Sequence, residues 1–246
     1  MIRYGLIGYP LEHSFSRDYF TKKFKRERIN AVYNNFPVKS LDKLPGILKE
    51  YPDLAGLNVT LPYKSSIIKY LDDIEPRAMK AGAVNVISIS GEGRKKTLCG
   101  YNTDIDGFIL SLKPLLNTDI EFALVLGTGG ASKAVQAGLD EMGIAYIVVS
   151  RDSSKADMTY LDLTGDLIKK CGLLINATPL GMFPETDKAP DIPYDSLGSK
   201  CILFDLVYNP ERSLFLRLGK ERGCHVKNGL EMLFIQAEKA WDIWKE

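Results

Sequence analysis

The sequence has no apolar run approaching the 18 or so residues that would span a bilayer. Histidine is scarce too, with only His13 and His225. Charge bias is missing as well, because 32 Lys and Arg against 31 Asp and Glu leave a net charge of +1. Nucleic-acid or anionic-membrane binding needs clustered positive charge, so neither partner is expected. The densest basic stretch, TKKFKRER from Thr21 to Arg28, reads as the wet face of an amphipathic helix. The four cysteines, Cys99, Cys171, Cys201 and Cys224, are too far apart for a C-x-x-C pair. That spacing argues against a metal site and for buried thiols in a reducing cytosol. The chain opens on the strand-like MIRYGLIG without a basic-then-apolar leader, so the expectation is a soluble, cytoplasmic protein.

What is present suits a packed fold. At 246 residues and 45 % apolar content, the chain can fill one or two domains with a sizeable core. Its first hundred residues alternate strand and helix signals. IRYGLIG precedes a helix over about 16–29, and AVYNNFPV precedes another over about 41–51. The strand GLNVTLP, helical pieces within about 65–80, and the strands AVNVISIS and KTLCGYN follow, the last two joined by a hairpin turn, GEGRKK. A helix over about 104–116, ended by Pro114 and Asn117, crosses into a second unit.

There the order is EFALVLG, a helix over about 131–142, AYIVVS, GLLINAT and CILFDLV. Near-continuous apolar runs of this kind are strands of a parallel sheet buried on both faces. Helices over about 214–222 and 230–244 close the chain, and Trp241 and Trp244, three apart, read as core packing. With no repeat or low-complexity linker, the expected fold is α/β in two domains joined by a crossover helix.

The clearest chemistry lies in ALVLGTGGASKAV. An apolar strand meets Gly127, Gly129 and Gly130 and passes straight into a helix, an arrangement that lets backbone approach a pyrophosphate at the positive helix end. The third position of G-x-G-x-x-G is Ser132, so the match is imperfect. The next strand ends at Ser150 and is followed by Arg151 and, nearby, Lys155. NAD enzymes keep an acid there for the ribose hydroxyls, whereas a guanidinium suits a 2′-phosphate. Asp152 is the residue that could instead turn toward a ribose. The reading is NADP(H).

A second stretch, GLNVTLPYKSS, alternates Leu57, Val59 and Leu61 with Asn58 and Thr60, then stops at Pro62 and places Lys64 beyond the strand end. Alone, this fits the solvated face of an edge strand. His13 beside Ser14 resembles a nucleophile pair only superficially; without a G-x-S-x-G elbow, capping or packing is the expectation.

Taken with GYPLEHSFS, AGAVN, NTDIDG, INATPLGM, DLVYNP and NGLEMLFIQA, these blocks make the chain resemble shikimate dehydrogenase over essentially its whole length. The resemblance implies a substrate domain over 1–103 completed by the C-terminal helix 230–246, a Rossmann NADP domain over 104–229, and a cleft between them. It implies that Ser14 and Ser16 hold a carboxylate, and that Asn58, Thr60, Lys64, Asn85, Asp104, Tyr208 and Gln236 line the substrate side. For the cofactor it implies Gly127, Thr128, Gly129, Gly130, Ala131, Ser150, Arg151, Lys155, Thr178, Leu206 and Gly229.

The implied reaction is the reversible reduction of 3-dehydroshikimate to shikimate on the route to chorismate and the aromatic amino acids. Lys64 and Asp104 would carry the acid–base step, and which of the two holds the proton stays open. No metal is implied, and the protein would be a monomer or homodimer. A quinate/shikimate dehydrogenase using NAD and a catalytically silent dinucleotide sensor are the rival readings. The chain departs from the family pattern at Tyr9, Arg17 and Pro179 and in a shortened stretch after Arg151. In that stretch Ser153, Ser154 and Asp157 disfavour helix, and MTYLDL has a strand-like mix. Only 166–170 has the makings of a helical turn. The expectation is a loop or short extended segment, with Lys155 free to reach the NADP phosphate and with salt-sensitive cofactor binding.

Overall fold

The computed structural model describes residues 1–12, 14–91, 96–116 and 120–245. The chain forms two compact units, Met1–Thr103 with Ala237–Glu246, and Asp104–Gln236.

The first unit runs β1 (Ile2–Gly8), α1 (Phe15–Glu27), β2 (Ala31–Pro37), α2 (Leu44–Glu50), β3 (Leu54–Val59), β4 (Asp73–Ile74), α3 (Pro76–Ala81), β5 (Val86–Ser90) and β6 (Thr97–Tyr101). Among the described residues its sheet has six strands, in the order β2-β1-β3-β5-β6-β4. β1 is parallel to β2 and β3, while β5 is antiparallel to β3 and β6. Most of the expected hairpin turn between β5 and β6 lies outside the described residues, as does His13.

β3 is therefore a central strand and not a solvated edge. Leu57 and Val59 enter one core with Leu54 and Ile87. Asn58 is also buried, at 5 % exposure, so its amide needs partners inside the protein. The basic face of α1 is also less wet than its composition implies. Lys22, Lys25 and Arg26 are exposed, but Lys23 is buried and paired with Glu27 at 3.2 Å and Glu238 at 2.8 Å. Two carboxylates within reach let that ammonium leave water.

The second unit runs α4 (Asp104–Leu112), β7 (Ala123–Leu126), α5 (Gly130–Met142), β8 (Tyr146–Ser150), β9 (Met158–Thr159), α6 (Gly165–Lys170), β10 (Leu173–Asn176), β11 (Ile202–Asp205), α7 (Leu214–Glu221), β12 (His225–Asn228) and α8 (Leu230–Trp244). α4 is shorter than expected, because a 3₁₀ turn containing Pro114 follows it; Asn117 lies outside the described residues. Among the described residues this sheet too has six strands, in the order β12-β11-β10-β7-β8-β9, all pairs parallel. Numbered from β7, that is 3-2-1-4-5-6, the dinucleotide-binding order. β7, β10 and β11 are buried at every position, as their apolar runs require. Cys171, Cys201 and Cys224 are buried free thiols just before β10, β11 and β12, while Cys99 is half-buried.

α8 is shared between the units. Its first turns belong to the second, and its last carries Trp241 and Trp244 into the core of the first, where Trp244 stacks on Tyr4 at 4.8 Å and donates to the Ile87 carbonyl at 3.0 Å. Both tryptophans pack as core residues. Among the described residues no helix is long and apolar enough to cross a membrane.

Candidate active site

On the substrate side, Ser14 is the N-cap of α1, and its Oγ accepts the Arg17 N–H at 3.3 Å. The cap uses an acceptor lone pair, so it leaves the Ser14 hydroxyl hydrogen to be given elsewhere. Ser16 sits half-buried in the first turn of the same helix. Tyr33, on β2, donates to Asn58 Oδ1 at 2.7 Å. Asn58 Nδ2 faces the Asn85 carbonyl at 3.4 Å. Asn85 then closes a reciprocal pair with Thr103. Its Oδ1 accepts the Thr103 N–H at 2.8 Å, and its Nδ2 donates to Thr103 Oγ1 at 3.0 Å.

The structure thus brings Asn58 and Asn85 into one buried chain that starts at Tyr33 and ends on Thr103, the residue preceding Asp104. Thr60 and Lys64 are half-buried in the turn after β3. The backbone of that turn is fixed by Tyr63 N–H to Thr60 O at 2.9 Å and Val84 N–H to Lys64 O at 2.7 Å. Asp104 is 5 % exposed and opens α4.

On the second unit the loop after β7 has the geometry that its glycines promise. Gly127 has φ +109°, and a Cβ there would stand 2.9 Å from Thr178 Cγ2. Only glycine fits that turn and that approach. The glycine loop and the loop after β10 therefore touch at the point where strand order reverses, which is where this fold binds ligands. Ser132, in place of a third glycine, is buried and donates to the Gly127 carbonyl at 2.6 Å. Its hydroxyl thus ties the helix back to the turn. Gly129 caps α5 without a side-chain hydrogen bond, and nothing lies within 4 Å of where its Cβ would be. The first-turn N–H groups of a helix, here those of Gly130 and Ala131 just after Thr128 and Gly129, lack intrahelical acceptors.

A polar network that the sequence reading missed supports this end of the sheet. Asp205 is 0 % exposed at the end of β11. It accepts from Val207 N–H at 3.0 Å, from Asn176 Nδ2 at 2.9 Å and from the Ser213 hydroxyl that caps α7. Burial pushes its carboxyl up to about 6, against those three donors. Asn176 Oδ1 holds Thr178 through its N–H at 3.1 Å and its hydroxyl at 2.6 Å. Past β11, Leu206 and Gly229 are so close that a Cβ on Gly229 would lie 2.3 Å from the Leu206 carbonyl oxygen. Tyr208 follows Val207, and burial raises its phenol. Gln236 is buried with Nε2 on Leu233 O at 2.9 Å. The available signal for the network was a lone Asn or Asp ending each apolar strand, LLIN and ILFD.

After β8 the shortened stretch contains a 3₁₀ turn (Ser153–Lys155), the two-residue β9, a second 3₁₀ turn (Tyr160–Asp162) and the six-residue α6, with no α-helix before Gly165. The extended part is only Met158–Thr159, because Asp162 caps the Thr159 N–H at 2.8 Å and curls the rest. Arg151 is exposed. Lys155 is not free: it pairs with Asp152 at 2.7 Å. Asp152 also accepts from Ser154 N–H at 3.1 Å and Ser154 Oγ at 2.6 Å, and Lys155 first, then these Ser154 donors, hold its carboxyl down to about 2. It therefore turns back on its own loop. Ser150 Oγ accepts the Asp152 N–H at 3.2 Å. Among the described residues no group of side chains could hold a metal ion.

A parallel sheet in dinucleotide order, a glycine loop at its switch point and a separate unit of interlocked polar residues define the class of two-unit, dinucleotide-binding α/β oxidoreductases. The model of the shikimate dehydrogenase substrate-binding domain matches residues 6–87. A shikimate dehydrogenase (NADP(+)) of Clostridium beijerinckii is 41 % identical over 254 residues, covering 99 % of this chain and 92 % of the relative. One of Syntrophomonas wolfei is 38 % identical over 260 residues, covering 97 % and 88 %. The crystal structure of a Thermus thermophilus shikimate 5-dehydrogenase in complex with NADP(H) and shikimate superposes with a TM-score of 0.86. It is 32 % identical over 99 % of this chain and 93 % of that one. The chain belongs to the shikimate dehydrogenase family.

Proposed function

We propose that the protein is an NADP-dependent oxidoreductase that interconverts 3-dehydroshikimate and shikimate, with Lys64 and Asp104 as its acid–base pair. The observation that carries the reading is the open, glycine-led N-terminus of α5 at the switch point, followed on the next strand by Arg151 where an NAD enzyme keeps an acid. A pyrophosphate fits the first and a 2′-phosphate the second, with Gly127, Thr178, Leu206 and Gly229 shaping the remainder. When bound, NADPH supplies the hydride that reduces the C3 ketone.

The chain's own residues do the rest. Ser14 and Ser16 take the carboxylate at the N-terminus of α1, where the helix dipole favours an anion. Asn58, Thr60, Asn85, Tyr208 and Gln236 offer mixed donors and acceptors to the ring hydroxyls. The Lys64 ammonium stabilises the oxygen that becomes negative and gives it a proton, and Asp104 shares in that exchange. In the oxidising direction the same groups accept the hydroxyl proton. We place the enzyme in the cytoplasm, as a monomer or homodimer, where its substrate and cofactor are dissolved metabolites.

The test is absorbance at 340 nm with shikimate and with quinate, each offered NADP and NAD. Turnover should be fastest with shikimate and NADP. Preference for quinate with NAD would replace this reading with the broader dehydrogenase, and no turnover with any pair would leave a nucleotide sensor.

A further inference from the structure

Between β1 and α1 the chain runs toward Ser14, and a side chain of β2 holds it on the way. The start is fixed by Tyr9 N–H on the Leu61 carbonyl at 3.0 Å. Among the described residues, the only hydrogen bond to residues 10–12 then comes from the half-buried Asn35, whose Nδ2 donates to the Leu11 carbonyl at 3.2 Å. Leu6 is the register partner of both Asn35 and Asn58, so all three project from one face of the sheet in one row. Leu11 lies over the next position on that face, where a Cβ on Gly8 would stand 3.2 Å from Leu11 Cδ2.

The anchor leaves an oxygen behind. A carbonyl only accepts, so the Asn35 amide keeps Nδ2 toward Leu11 and Oδ1 away from it. That Oδ1 is buried, and among the described residues it meets no donor. A buried acceptor without a partner lowers stability. Leucine has the same branched shape and the same number of side-chain heavy atoms with no polar atom, so stability alone would favour leucine here.

We propose that Asn35 is a positioning residue for the carboxylate end of the substrate. Through Leu11 it sets the path of the segment after β1, and so the place of the Ser14 hydroxyl at the head of α1. The inference rests on the assignment of Ser14 to the substrate carboxylate. Its consequence is that binding and stability oppose each other at this position.

Asn35→Leu should raise KM for shikimate about fivefold, the size of one ordinary hydrogen bond. Turnover should stay within about threefold, KM for NADP should not move, and Tm should be unchanged or higher, a combination that loosened packing would not give. Asn35→Asp keeps the size but turns only acceptors toward the Leu11 carbonyl, and it should raise KM for shikimate at least as much. Ser14→Ala should raise KM for shikimate by itself. In that background Asn35→Leu should add less than about twofold, because it acts through the same hydroxyl. A lowered Tm in Asn35→Leu, an unchanged KM for shikimate in either Asn35 variant, an equal rise in KM for NADP, or effects that multiply independently would each overturn the proposal. Ser14→Ala with an unchanged KM would overturn the substrate assignment itself, and the proposal with it.

Discussion

The two units solve the problem of holding polar groups in opposite ways. In the first, the polar side chains are inside. Asn58 and Asn85 sit at 5 % and 2 % exposure on or beside central strands, and each is held by another polar side chain. In the second, β10 and β11 are apolar up to a last residue, Asn176 and Asp205, which is itself buried and hydrogen-bonded, and the glycine-led turn lies beyond the end of β7. The first arrangement is a hydrogen-bonded chain, in which one lost atom is felt several residues away. The second is a set of loop ends resting on one buried carboxylate.

The sharpest break of that comparison is chemical. Lys64→Ala should lower kcat on the order of 10²–10⁴-fold, the span for a lost acid–base group, and saturating shikimate should not restore it. A near-normal kcat in steady-state assays would remove Lys64 from catalysis.

Next comes the support of the second unit. The folded Asp205 carboxyl titrates at about 6, above its ordinary value of 3.8. Its contribution to stability is therefore complete below about pH 4 and lost as pH rises through about 6, on the order of 2–3 kcal/mol. Denaturant titrations of Asp205→Asn between pH 4 and 7 should lack that loss. The same slope in wild type and variant would show that Asp205 does not titrate in the fold. Asp205→Ala, which leaves Asn176 and Ser213 without their acceptor, should be destabilised at every pH in that range.

The smallest effects belong to the cofactor's phosphate end. Arg151→Ala should raise KM for NADP about tenfold and leave KM for NAD nearly unchanged, since only NADP carries the 2′-phosphate. Lys155→Ala should change KM for NADP less than about threefold, because Lys155 is already spent on Asp152 in an exposed pair. Equal damage to both nucleotides by Arg151→Ala, or a larger effect from Lys155 than from Arg151, would reverse this ranking.

Much of this was legible in the order of residues. Apolar runs such as LLIN and ILFD had to become buried parallel strands, and a glycine loop after ALVL could only be a tight turn into a helix. The stretch after Arg151 could not fill a crossover helix, since Ser153, Ser154 and Asp157 disfavour one. β4 and β12 escaped notice because two to four residues carry no readable period, and their pairing is imposed by neighbours.

The sequence by itself determined the fold class, the family and the types of side chain that carry the chemistry, because these follow from local pattern and from residue identity. Tertiary structure alone decided that β3 is central, that Lys23 is buried, that Lys155 faces Asp152, that Tyr33 meets Asn58 and that Asn176 meets Asp205. Each of these depends on which groups from distant segments come within about 3 Å of one another, the reach of a hydrogen bond. A chain sets that distance only once its strands have found their order.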